Sequence, residues 1–121
     1  MLPMRRPDLL IVLLAYAVAS FLHHAHNAEL LDHYPNMPAW LSRGGVYVAW
    51  LLATAIGVLG YWLRRPVLMV IYGLYGIAVL AHYVLAPWSA HTSLMHLTIG
   101  LEAATAAALL ATLFRPTRTS P

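Results

Sequence analysis

Seven histidines and four carboxylates, with no cysteine, set the chemistry open to this 121-residue chain. His23, His24 and His26 form a cluster, His33 follows, and His82, His91 and His96 lie some fifty residues on. Neutral imidazole is the commonest protein ligand for a metal ion. Three imidazoles hold zinc or copper with a position left open. Two on facing helices can clamp the iron of haem b. Without cysteine there is no thiolate site, no iron–sulfur cluster and no C-x-x-C-H haem attachment. Met37 and Met95 add soft thioethers, which lean modestly toward copper. Glu102 stands alone in an apolar run, where a carboxylate anion is costly and calls for a proton or a partner. It is the candidate acid/base.

These groups need something to position them, and the apolar pattern supplies it. The chain is 61% hydrophobic and 9% charged, too few charges to cover a soluble domain of this size. A membrane span takes about 20 mainly apolar residues, and four fit: Leu9–Ala28, Gly45–Leu63, Val67–Ala86 and Thr92–Phe114. They leave room for one domain, residues 1–121, with no soluble appendage. Arg5 and Arg6 precede the first span, Arg64 and Arg65 join the second and third, and Arg115 and Arg118 follow the fourth; only Arg43 falls on the other side. Cytoplasmic loops carry the excess of arginine and lysine. The expectation is an all-α membrane protein of the bacterial inner membrane, an antiparallel four-transmembrane-helix bundle with both termini cytoplasmic. All seven histidines then lie at or near the extracytoplasmic face. The arginines suit anionic headgroups better than nucleic acid. Arg5, Arg6 and the apolar run also admit a secretory-signal reading, but the run is long for one if it reaches Ala28.

Local signals refine the spans. Asp8 is a candidate N-cap for the first. Tyr34-Pro35-Asn36-Met37-Pro38 cannot continue a helix, and Arg64-Arg65-Pro66 reads as a tight turn. Trp40, Trp62 and Trp88 read as interfacial anchors, and Thr117–Pro121 as a polar, disordered tail. Side chains on one helix face recur every three or four residues. The resulting stripes are Tyr16, Ser20, His23 and Asn27; Tyr47, Trp50, Thr54, Gly57 and Tyr61; Tyr72, Tyr75, Val79 and His82; and His91, Met95, Thr98 and Glu102, with His96 on the adjacent face. Polar stripes in lipid turn inward, and Gly73, Gly76, Gly100 and Ala103–Ala108 permit close helix approach. At about 1.5 Å per residue, His23, His82 and His96 fall at one depth. They are the expected cofactor ligands, with His24 and His26 joining them as metal ligands. His33 and His91 are expected to face solvent.

The segment His26-Asn27-Ala28-Glu29-Leu30-Leu31, with Tyr34-Pro35, His82-Tyr83, His91-Thr92 and Glu102, resembles small bacterial four-span membrane proteins. That resemblance implies the fold and brings no activity with it. The placement of His23, Glu29, His82 and Glu102 is also similar to the EXPERA-type sterol-isomerase and sigma-2-receptor group, which implies lipid binding or isomerisation.

Three readings follow. The first is a histidine centre holding copper, zinc, iron or haem, for redox, metal handling or metal-assisted chemistry. The second is a binder or isomerase of a lipid, quinone or terpenoid, with Glu102 and a histidine as acid and base. The third is an accessory subunit of a larger membrane complex, or a homo-oligomer, in contact with membrane lipids. Whether the chain is an enzyme stays open at this level.

Overall fold

The computed structural model describes residues 6–116, and every described element is helical. Arg5, Arg118 and the Thr117–Pro121 tail lie outside the described residues. Helix α1 runs Pro7–Glu29, α2 Arg43–Trp62, α3 Pro66–Ile77, α4 His82–Leu85 and α5 Ser93–Phe114. Among the described residues, four stretches are long and apolar enough to cross a membrane: α1, α2, Pro66–Leu85 and α5.

Each boundary has a local cause. Pro7 and Pro66 occupy first-turn positions, where a missing N–H costs nothing. The residue capping α1 is Arg6, not the expected Asp8. Asp8 sits inside the first turn, where its carboxylate pairs with the Arg6 guanidinium. The hydroxyls of Ser42 and Thr92 cap α2 and α5 by accepting from the Gly45 and Met95 amides, at 3.0 and 3.1 Å. The α2–α3 turn places Arg64 at φ 54°. Asn36, at φ 64°, takes the left-handed position in the α1–α2 loop and donates from Nδ2 to the Leu85 carbonyl at 2.7 Å. That bond ties the loop over α4.

The third span is not the continuous helix expected over Val67–Ala86. After Ile77 it tightens into a 3₁₀ segment, Ala78–Ala81, before the single turn of α4. Such tightening within a helix marks a local conflict or a functional position, and here it adjoins the polar cavity described below.

The helices form a closed ring: α1 packs on α2 and α5, and α3 packs on α2 and α5. Leu, Val and Ile side chains such as Ile11, Val18, Leu52, Val67 and Leu97 point outward, as suits a lipid-facing surface. Trp40, Trp62 and Trp88 are also exposed, near helix ends. One apolar cluster, around Leu13, Tyr16, Met69, Tyr72 and Leu109, fills the end of the bundle that carries Arg64, Arg65 and Arg115. A smaller one, of Tyr34, Val79, Met95 and Ile99, fills the histidine end. Tyr16 and Tyr72 hold the first cluster together. Their rings lie 4.3 Å apart and the Tyr16 hydroxyl donates to the Tyr72 carbonyl at 2.9 Å.

Close approach depends on glycine at particular places. A Cβ at Gly57 would run into the Tyr72 ring, and one at Gly76 would stand 2.6 Å from the Ala106 Cβ. Gly100 departs from expectation, since a Cβ there meets nothing within 4 Å. Gly57→Ala is therefore expected to cost roughly 1–3 kcal/mol through overpacking, and Gly100→Ala to be neutral or mildly stabilising through helix propensity. Thermal unfolding of the two variants in one detergent checks the contrast.

Candidate functional site

Between the two apolar clusters lies a polar layer built from three of the four apolar stretches. The α1 stripe delivers Ser20, His23, His24 and Asn27, all buried. The α5 stripe delivers Thr98 and Glu102, four residues apart and both buried. Tyr75 of α3 and His82 at the start of α4 complete it. His23, His24, Asn27, Tyr75, His82 and Glu102 surround a cavity of about 200 Å³, also lined by Ala78, Val79, Ala81 and Leu85; Ser20 and Thr98 stand behind them, bonded to Glu102 and His23.

The hydrogen bonds fix most of the proton positions. The Thr98 hydroxyl donates to the Met95 carbonyl at 3.0 Å, so toward His23 Nδ1, 3.1 Å away, it can only accept. His23 therefore carries its hydrogen on Nδ1 and presents a bare Nε2 to the cavity. His24 Nδ1 donates to the Ser20 carbonyl at 2.8 Å, so its Nε2 accepts from the Tyr75 hydroxyl, also at 2.8 Å. Ser20 Oγ donates to Glu102 Oε1 at 2.7 Å. Around His23 Nε2 stand His82 Nε2 at 3.2 Å and Asn27 Nδ2 at 2.9 Å.

Among the described residues, two buried acceptors have no partner: Glu102 Oε2 and Asn27 Oδ1. Glu102 is 1% exposed, and its free oxygen lies 3.9 Å from His23 Nε2. A buried polar atom left unpaired costs about 1–3 kcal/mol, so two on one cavity wall call for an explanation.

The expected ligand set is brought together only in part. His23 and His82 meet, and His24 and Glu102 share their cavity. His96 does not join them. Its ring stacks on Trp88 at 3.9 Å, and its Nδ1 pairs with the Tyr83 hydroxyl at 2.8 Å. Met95, Thr98 and Glu102 define the buried face of α5, and His96 stands about 100° of helical rotation away from Met95. Counting rise along the helices did not supply that rotation. His26 also turns aside, bonding the Tyr34 hydroxyl at 2.7 Å. His33 is exposed as expected. His91 is buried, against expectation, with Nδ1 donating to the Pro87 carbonyl at 3.0 Å and its ring 6.1 Å from that of His82.

Asn27 and Thr98 were visible in the sequence as stripe members, and their periodicity with His23 and Glu102 was the signal that marked them for this layer. The Tyr75–His24 bond had no comparable signal, because it joins two helices. Among the described residues, no three His, Asp or Glu side chains form a group able to hold a metal ion. Comparison with protein-family models, with curated proteins and with solved structures finds no match to this chain.

Proposed function

We propose that this chain binds a small, lipid-soluble molecule in the extracytoplasmic leaflet of a bacterial plasma membrane, and that Glu102 and His23 handle a proton at the polar end of that molecule. In this reading the helices run antiparallel across the membrane with both termini cytoplasmic. Arg64, Arg65 and Arg115 at one end, against Arg43 alone at the other, support that orientation. The observation that carries the proposal is the pair of unpartnered acceptors, Glu102 Oε2 and Asn27 Oδ1, on the wall of a cavity whose remaining lining is largely apolar. A hydroxyl or amine head on an apolar body satisfies both surfaces at once.

The route in is sideways. The cavity is lined by α1, α5 and the Tyr75–Leu85 stretch, and by no residue of α2. Tyr75, Ala78, Ala81 and Leu85 are exposed at its mouth, which in this reading faces hydrocarbon. The α1–α2 loop covers the end of the bundle, with Tyr34 bonded to His26 and Asn36 to Leu85.

Carbodiimides test this directly, because they attack protonated carboxyl groups. Dicyclohexylcarbodiimide, which dissolves in the bilayer, is expected to modify Glu102 in membranes. A water-soluble carbodiimide is expected to leave it untouched, and peptide mass spectrometry reads both. Equal labelling by the two reagents, or labelling by neither, overturns lateral entry to a protonatable Glu102.

A further inference from the structure

The three donor atoms gathered at His23 Nε2 have a geometry that the organic ligand does not account for. His23 Nε2, His82 Nε2 and Asn27 Nδ2 form a triangle with edges of 2.9, 3.2 and 3.5 Å. An imidazole nitrogen offers one lone pair or one hydrogen, yet Asn27 Nδ2 and His82 Nε2 both lie within 3.2 Å of this one. At the same side chain, Asn27 Oδ1 is buried without a partner. Turning the Asn27 amide over exchanges its oxygen and nitrogen at no cost in shape. The triangle then holds two imidazole nitrogens and one carbonyl oxygen, and a shared cation is what such a set lacks.

We infer that His23, His82 and Asn27 form a site for one divalent transition-metal ion on the cavity wall, with its open position toward Glu102. Two ligands about 2.0–2.1 Å from a tetrahedral zinc stand roughly 3.3 Å apart, close to the three edges observed. Imidazoles on opposite sides of an iron stand roughly 4 Å apart, twice a metal–nitrogen bond, so the spacing suits neighbouring positions on one ion. The support a ligating histidine needs is present: its other nitrogen should donate to a fixed acceptor, and His23 Nδ1–H is held by Thr98 Oγ1. Glu102 Oε2, at 3.9 Å from His23 Nε2, stands where it balances the ion's charge or accepts from a water in the open position. Two imidazoles with oxygen suit zinc or copper(II). Asn27 supplies the third donor, so a convergence of His, Asp and Glu alone does not reveal the site.

This site takes Asn27 Oδ1 and borders Glu102 Oε2, the two acceptors that the organic-ligand reading also uses, so the two readings are tested apart. Metal is added alone to chelator-stripped protein in detergent, and labelling of Glu102 by carbodiimide is read separately on metal-free protein. Equilibrium dialysis against Zn²⁺ or Cu²⁺ is expected to give one ion per chain. Co²⁺ in the same site is expected to show the visible bands of tetrahedral coordination. His82→Ala and Asn27→Leu, the second close in size to the native side chain, are expected to weaken binding at least 10-fold. Asn27→Asp is expected to keep or strengthen it, and His96→Ala to leave it unchanged. Failure of the wild type to retain an ion at micromolar metal overturns the inference. So does retention of full affinity by both His82→Ala and Asn27→Leu, which places the ion elsewhere.

Discussion

Glu102→Gln is expected to give a protein that is more stable than the wild type and unable to hold its ligand. The amide has the shape of the carboxyl, so the Ser20 hydroxyl, 2.7 Å from Oε1, keeps an acceptor in the amide oxygen. The other position changes from an unpartnered acceptor to an N–H₂ facing His23 Nε2, which lies 3.9 Å from that site. A buried acceptor without a partner costs about 1–3 kcal/mol, more when charged, so stability should rise by an amount of that order. The amide copies the protonated carboxyl, which donates from the same position, and removes the ionised state, in which both oxygens accept and which in this reading receives the ligand's hydrogen. A ligand head that gives hydrogen bonds finds a donor opposite it, and affinity should fall by roughly 10- to 100-fold, the 1–3 kcal/mol attached to a mismatched buried polar contact. Thermal unfolding in detergent reads the first effect. The second is read by the amount of small molecule carried through purification by wild type and variant from the same membranes. A variant that is less stable and keeps its cargo contradicts the role given to Glu102.

Such a trade of stability for function also explains why the fold was easier to read in the sequence than the site. The four apolar stretches appear in the structure to within about two residues at most ends, because length and hydropathy alone decide whether a helix can lie in lipid. The exception is the third stretch, where Ala78–Ala81 tightens. No proline or glycine within those four residues announces it, and Gly76 stands just before. The site depended on azimuth as well as depth. His23 and Asn27 share a stripe and meet at the cavity, which Glu102 reaches from α5; Ser20 and Thr98, on the same stripes, back them. His96, placed with them by depth, has its own aromatic surroundings in Trp88 and Tyr83. His91 was expected at the surface because it lies between helices. The 3₁₀ turn Trp88–Ala90 folds it back instead, so that its Nδ1 reaches Pro87. Turns of this kind leave little trace in hydrophobic periodicity. The Asn27 amide was legible as a buried residue and illegible as a ligand, since that role depends on two histidines from separate helices meeting beside it.

Thr98→Val is expected to disable the site without touching any atom that faces the cavity. Thr98 Oγ1 gives its hydrogen to the Met95 carbonyl and takes the one on His23 Nδ1. Valine keeps the branched shape and removes both bonds. The Met95 carbonyl retains the bond of its helix, but His23 Nδ1–H is left buried with no acceptor, and His23 is only 3% exposed. The ring can escape that penalty, about 1–3 kcal/mol, by moving its hydrogen to Nε2. It then donates into the cavity where it had accepted. The base at the floor is lost, and with it the lone pair that a metal ion requires. Removal of a partner that orients a ligating histidine costs about 10- to 100-fold in metal affinity, and the variant should show that loss for Zn²⁺ while remaining helical and monodisperse. Nitrogen-15 spectra of labelled histidine separate this mechanism from a general loosening of the bundle. In wild type the His23 signal should report a protonated Nδ1 and a bare Nε2; in Thr98→Val the two should exchange character. Thr98→Ser, which restores the hydroxyl on a smaller side chain, should recover the wild-type spectrum and most of the metal binding. If the serine variant behaves like valine, packing of the Thr98 methyl and not its hydroxyl governs the site, and the assignment of His23 Nε2 as the reactive nitrogen falls with it.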